Sequence, residues 1–220
     1  MEKLKSNLPN MVGILSVVAV ICGGLLAYIN NITLEPRNEA ARATLNAGIE
    51  QVMGGKCNVI DSKEIKKSLD GKDIQFIVYN TDKGTAVQST DPNAFGGNLT
   101  ILVGFDNNGA ILGYTILETT ETPGLGAKAD TWFQSVENGG KGGNACIIGL
   151  NPKDKNLTVS KDGGDIDAIT ASTITSRAFL RAVKQAYDTY CENAGISATN
   201  NTNDNYGTDG DTGATKQKEE

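Results

Sequence analysis

An α+β fold behind a single membrane-crossing helix is what this 220-residue sequence predicts, and three observations predict it. The nineteen residues from Met11 to Ile29 carry no charge. Two apolar runs, Leu99 to Phe105 and Ile111 to Leu117, flank Asp106-Asn-Asn-Gly109, a turn cluster of the hairpin kind. A long amphipathic pattern runs from Thr173 to Asn193, with Ile174, Ala178, Leu180, Val183, Ala186, Tyr187 and Tyr190 on one broad face. Helices bracketing an antiparallel sheet are the natural assembly of such parts.

The first element is the apolar run MVGILSVVAVICGGLLAYI. As a helix at ~1.5 Å per residue it covers roughly the ~30 Å of a bilayer's hydrocarbon. A cleaved signal peptide wants a shorter run and a small-x-small site, which Ala27-Tyr28-Ile29 does not supply. A lipoprotein signal fails because Ile21 precedes Cys22, so the helix is expected to stay as an anchor. Lys3 and Lys5 precede it, and Asn30, Asn31 and Glu35 follow it before Arg37. The positive-inside bias therefore puts residues 1–10 in the cytoplasm and the folded domain outside it. Gly23-Gly24 also allows close approach of another helix.

Pro36 to Met53 reads as a separate stalk helix ending at Gly54-Gly55. Ile74 to Val78 reads as a strand ahead of the Leu99 and Ile111 pair, and a short helix is expected near Asp130 to Val136. Asn138-Gly-Gly-Lys-Gly-Gly-Asn144 reads as a mobile loop, because the Lys-Ser/Thr ending of a phosphate-cradling loop is missing. Further short strands fit Cys146 to Leu150 and Leu157 to Val159. The expected organisation is a span over 11–29, one domain over 30–192, and a polar tail over 193–220 that cannot bury enough apolar surface to fold.

Composition removes several function classes. Lys and Arg number 20 against 26 Asp and Glu, with no basic cluster, so a nucleic-acid partner is not expected. The chain has no histidine, which excludes Ser-His-Asp, Cys-His and His-ligated zinc chemistry. Cys22, Cys57, Cys146 and Cys191 are too far apart for zinc, iron–sulfur or thioredoxin-like spacing and read as small apolar residues.

Two segments stand apart from the scaffold. Asp167-Ala-Ile-Thr-Ala-Ser-Thr-Ile-Thr-Ser176 gathers the hydroxyls of Thr170, Ser172, Thr173, Thr175 and Ser176 where a loop becomes the last helix. Free N–H groups and the helix dipole favour a phosphate there. The plainer alternative is that Thr170, Ser172 or Thr173 simply caps the helix. The other segment, Glu118-Thr-Thr-Glu-Thr-Pro-Gly-Leu-Gly-Ala-Lys128, follows the strand ending at Leu117. Pro123-Gly124 suits a type II turn, and Gly126 admits a bound group close to the backbone. Here the plainer alternative is an ordinary strand-end turn.

Together these segments resemble the paired signatures of the FMN-binding domain found in the G subunit of Rnf complexes and the C subunit of sodium-pumping NADH:quinone reductases. That family's Asp-x-x-Ser/Thr-Gly-Ala-Thr motif falls on Asp167, Thr170 and Thr173, with Ala171 in place of the glycine and Ser172 in place of the alanine. Its Glu-Thr-Pro-Gly-Leu-Gly stretch is matched without a change by Glu121, Thr122, Pro123, Gly124, Leu125 and Gly126, followed by Lys128 and Trp132-Phe133. The histidine often found before that stretch is replaced by Thr119 or Thr120.

The resemblance implies FMN bound covalently through a phosphoester to Thr173. Asp167, Thr170, Ser172, Thr175 and Ser176 would lie around the phosphate, and Glu121 to Gly126 with Lys128 against the ring. It further implies an electron-carrying subunit rather than a complete enzyme, other membrane and soluble subunits of an Rnf-type complex as partners, and a flavin transferase that uses FAD. A short chain favours the Rnf subunit, with electrons between ferredoxin and NAD. The quinone reductase subunit, and a membrane-anchored binding or sensory module without flavin, remain the alternatives.

Overall fold

The structure is a computed structural model that describes residues 8–69 and 72–196. The expected cytoplasmic segment before Leu8 and the polar tail after Ile196 lie outside the described residues. Helix α1 runs from Leu8 to Val52 as one element. Its stretch Met11–Leu34 is long and apolar enough to cross a membrane. The separate stalk expected from Pro36 is thus the continuation of the same helix. A proline inside a helix removes one backbone hydrogen bond but does not oblige the chain to leave it.

Five strands follow: β1 Val59–Leu69, β2 Lys72–Thr81, β3 Thr85–Ala94, β4 Gly97–Phe105 and β5 Ile111–Thr119. They form one antiparallel sheet in the order β1-β2-β3-β4-β5. Then come the short helix α2, Ala129–Trp132, and the long helix α3, Thr173–Ala194. The α+β fold with an antiparallel sheet, helices and one N-terminal apolar helix agrees with the sequence reading.

Strands β1 and β3 escaped that reading. β1 is rich in Lys, Asp, Glu and Ser, and β3 carries Asp91-Pro92-Asn93, so neither offers an apolar run; pairing with neighbours makes them strands. Two expected strands are absent. Cys146 to Leu150 is a turn segment that bonds to Ile111, and Leu157 to Val159 contributes a single bridge, Val159 to Ile166. Both runs are apolar because they fill the core, with Ile147, Leu157 and Val159 buried.

The sheet is covered on both faces. α3 lies over β3 and β4 on the larger core, where Val87, Leu99, Ile101, Val103 and Phe105 meet Phe179, Leu180, Val183 and Tyr187. The end of α1 covers part of the other face, where Ile49, Val52 and Met53 meet Tyr79, Ala86 and Leu102. Gly104 and Gly113 are paired across β4 and β5, and a Cβ on either would sit 2.6 or 2.9 Å from the Val52 carbonyl oxygen.

That seat fixes the direction of α1. Gly48 lies against Leu102, Thr115 and Leu117, whereas Val52 lies against Gly104 and Gly113. α1 therefore runs alongside β4 in the same direction. Following α1 back toward its apolar stretch leads to the sheet end that carries the β3–β4 turn and the exit of β5. About 21 Å of helix separates Gly48 from Leu34 at ~1.5 Å per residue, and about 20 Å of strand separates Leu102 from Gly96 at ~3.4 Å per residue.

Candidate functional site

At this end of the sheet β5 stops at Thr119 and the chain turns. Leu125 N–H donates to the Thr122 carbonyl at 3.2 Å, and Gly124 has φ +79°, the positive value that the third position of a type II turn needs. Ala127 N–H bonds the same carbonyl at 3.3 Å, and the chain passes through a short helical turn, Gly126–Lys128, into α2.

Glu121, just before this turn, points into the protein and is 7% exposed. Its Oε1 accepts the Gly96 N–H from the β3–β4 turn at 3.0 Å, and its Oε2 accepts the Thr175 hydroxyl from α3 at 2.9 Å. A Cβ on Gly126 would strike Glu121 Oε2 and come within 2.7 Å of Thr175 Oγ1. One carboxylate thus joins segments 25 and 54 residues away, and it brings the two sequence motifs together. Gly126 is needed for this packing. Thr120 strengthens the join by donating to the Gly96 carbonyl at 2.6 Å.

The β3–β4 turn is held from the other side as well. Arg181 of α3 makes a bidentate pair with Asp91, at 2.8 and 2.9 Å, and Asp91 also accepts the Asn93 N–H at 2.8 Å. Asp91 is buried, so this is a charge that must stay paired.

The start of α3 is open. Ser172 occupies the N-cap position without a side-chain capping bond, and Ser176 N–H to the Ser172 carbonyl is the first helical bond, at 3.0 Å. The N–H groups of the opening turn therefore have no side-chain cap. Just before it, Ser172 N–H closes a turn onto the Ile169 carbonyl at 3.0 Å, with Ala171 at φ +63° in its third position. Ala171 is the one non-glycine residue with positive φ among the described residues, and that conformation costs a residue with a Cβ about 1 kcal/mol or more. A glycine motif position that carries alanine here is thus a position the backbone wants left-handed.

The hydroxyls of the motif divide into two groups. Ser176 is fully buried, donating to the Ser172 carbonyl and accepting the Ile169 N–H, each at 2.9 Å, and Thr175 is committed to Glu121. Ser172 is buried too. Thr173 is half-buried and Thr170 exposed, so these two stand at the surface. Asp167 is exposed and organises its surroundings: its carbonyl accepts the Trp132 indole N–H at 3.1 Å, its Oδ1 accepts the Ser160 hydroxyl at 3.3 Å, and its N–H reaches the Asn144 carbonyl at 3.1 Å. Thr122, Gly124, Leu125 and Lys128 are exposed.

Behind the site, Tyr114 donates to the Ala129 carbonyl at 2.7 Å and accepts the Phe133 N–H at 3.2 Å, and burial raises its phenol pKa far above the usual value. Phe133 stacks on Phe179 with ring centroids 4.4 Å apart, locking α2 to α3. The glycine-rich stretch is tied down by Gly140 N–H to Ser135 and Lys141 N–H to Trp132 carbonyls. A cleft of about 680 Å³ between the 152–165 segment and Lys184, Tyr187 and Asp188 contains no motif residue. Cys57, Cys146 and Cys191 are free thiols, and burial pushes the Cys191 thiol up.

The arrangement suits a phosphate bearing a flat ring: unclaimed N–H groups and the Thr170 and Thr173 hydroxyls on one side, the exposed Thr122–Lys128 turn on the other. Gly96 and Phe95 belong to this site and were not singled out from the sequence; the only signal was the Gly96-Gly97 pair of a tight turn.

A model of the FMN-binding domain matches residues 95–188. The G subunit of the ion-translocating oxidoreductase complex of Salmonella typhi is 35% identical, aligned over 78% of this chain and 85% of the relative. The corresponding G subunit of Escherichia coli K12 is 34% identical over the same shares, and that of Shewanella baltica 30% identical over 79% and 84%.

Proposed function

This chain belongs to the family of G subunits of the ion-translocating oxidoreductase complex, and from that premise we propose that its domain carries FMN as a phosphoester on Thr173 and passes electrons within an Rnf-type ferredoxin:NAD oxidoreductase. The observation that carries the proposal is the Glu121–Thr175 bond, which joins the Glu121–Gly126 turn to the uncapped start of α3 and leaves Thr173 as its half-buried hydroxyl.

Each residue has a part in this reading. The free N–H groups of the first turn of α3 and the Thr170 hydroxyl receive the phosphate, and the helix dipole favours its charge. Asp167 holds Trp132 and the neighbouring loops in place. Attachment would exchange the Thr173 O–H bond and the pyrophosphate P–O bond of FAD for a Thr173–FMN phosphoester and AMP, with one proton released to solvent, and a flavin transferase would be the catalyst. FMN, when bound, supplies one-electron chemistry, while the protein sets position and potential. An ester also prevents loss of the cofactor from a domain outside the cytoplasm.

The direction of α1 supports an electron exchange at the membrane face, because the attachment end of the sheet lies toward the apolar stretch Met11–Leu34. The partners are then the membrane subunits of the same complex. The test is in-gel flavin fluorescence after denaturation, with the transferase co-expressed. The wild type should fluoresce and Thr173→Ala should not, whereas Ser172→Ala should. A fluorescent Thr173→Ala band would move the ester to another hydroxyl, and a dark wild type would end the covalent reading.

A further inference from the structure

The Glu121 carboxylate touches Gly96, Gly126 and Thr175. The residue immediately before each of these is a large apolar side chain turned out to solvent: Phe95 is 69% exposed, Leu125 44% and Ile174 49%. Ile60 on β1 and Leu112 on β5, also exposed, lie on strands away from this join. Three segments that are distant in sequence therefore meet at one buried acid, and each carries an exposed apolar residue next in sequence to the group that meets it.

Exposing a phenylalanine, a leucine and an isoleucine together forgoes part of the stabilisation that burying each would give. A fold that holds them in place by hydrogen bonds, rather than folding them inward, keeps them available to something else. Ile174 adjoins Thr173, and Phe95 opens the matched FMN-binding region. The ring system of a flavin is a flat, largely apolar body with polar edges, and sites for such groups combine apolar walls with a few placed polar atoms.

We propose that Phe95, Leu125 and Ile174 form an apolar rim that takes the isoalloxazine ring, with Glu121 as the positioning residue that gathers them. This rests on the reading that the domain carries FMN, but not on the ester. Phe95 supplies an aromatic face or edge, and the two aliphatic side chains complete the contact. Glu121 does not touch the ring; its two oxygens are committed to Gly96 and Thr175.

Two measurements on the full chain in detergent test the rim. Without the transferase, riboflavin, which lacks the phosphate, is titrated by its fluorescence. With the transferase, iodide quenching of the attached flavin is measured and the denatured band is checked. Phe95→Ala and Ile174→Ala should each weaken riboflavin binding about tenfold and make attached flavin more accessible to iodide. They should leave the denatured band as bright as the wild type. Phe95→Tyr should restore both readouts, and Ile60→Ala, at a side chain 72% exposed on β1, should change neither. Riboflavin affinity and iodide access unchanged in both alanine variants, or no saturable riboflavin binding by the wild type, overturn the rim; lipid or another subunit covering these side chains gives that same result. A dark denatured band with normal riboflavin binding overturns the ester alone.

Discussion

The seat of α1 on the sheet and the join around Glu121 are built on opposite principles. Where α1 meets the sheet, Val52 lies on Gly104 and Gly113 and everything nearby is apolar and close, with Ile49, Met53, Ala86 and Leu102 around it. Around Glu121, buried polar atoms are paired one by one, apolar side chains stand outside, and Ala171 is in a left-handed conformation. The seat depends on contact without direction, so it tolerates no added volume. The join around Glu121 depends on directed bonds, so it tolerates changes of volume at its surface but not loss of a partner. The first arrangement suits a mechanical anchorage; the second suits holding one hydroxyl in one place.

The largest effect should come from filling the seat. Gly113→Val puts a side chain onto the Val52 backbone, an obstacle that cannot rotate away, and should cost about 3 kcal/mol or detach α1 from the sheet. Chemical denaturation in detergent reads the loss, and a variant as stable as the wild type would show that the seat yields. Next, Glu121→Ala leaves the Gly96 N–H and the buried Thr175 hydroxyl without their acceptor and should cost about 2 kcal/mol, with slower flavin attachment. Glu121→Gln keeps an acceptor for Gly96 and a group for the Thr175 hydroxyl, and should recover most of both. If the glutamine variant is as damaged as alanine, the charge rather than the bonding matters.

Ala171→Gly reverses the sign. It relieves the left-handed strain at the cost of a more flexible unfolded chain, so the thermal midpoint should rise by the equivalent of about 0.5 kcal/mol. A fall would mean that the alanine methyl packs usefully. The smallest effect concerns Arg177, in the first turns of α3, which forms a bidentate pair with Asp162 at 2.7 Å for both bonds. The hydrogen bonds from Arg177 lower the Asp162 pKa. A lowered folded-state value stabilises above the unfolded pKa, near 4, and the contribution is lost as pH falls through the folded value. The small stability gap between wild type and Asp162→Asn should therefore be constant at neutral pH and close below about pH 4. A gap that persists at pH 2 would assign it to packing.

Sequence alone determined the elements whose signal is local: the uncharged Met11–Ile29 run, the β4–β5 hairpin, the amphipathic α3 beginning at Thr173, and the turn at Pro123-Gly124. Each is written in neighbours a few residues apart, through periodicity or the special conformations of proline and glycine. Only the tertiary structure decided that β1 and β3 are strands, that Cys146 to Leu150 is not, and that α1 continues unbroken through Pro36. It alone turned Glu121 inward and left Phe95, Leu125 and Ile174 exposed, each next to a residue that Glu121 meets. The physical reason is distance along the chain. A carboxylate has the same composition whether it faces solvent or a hydroxyl 54 residues away, and which it faces is settled by the packing of α3 on the sheet.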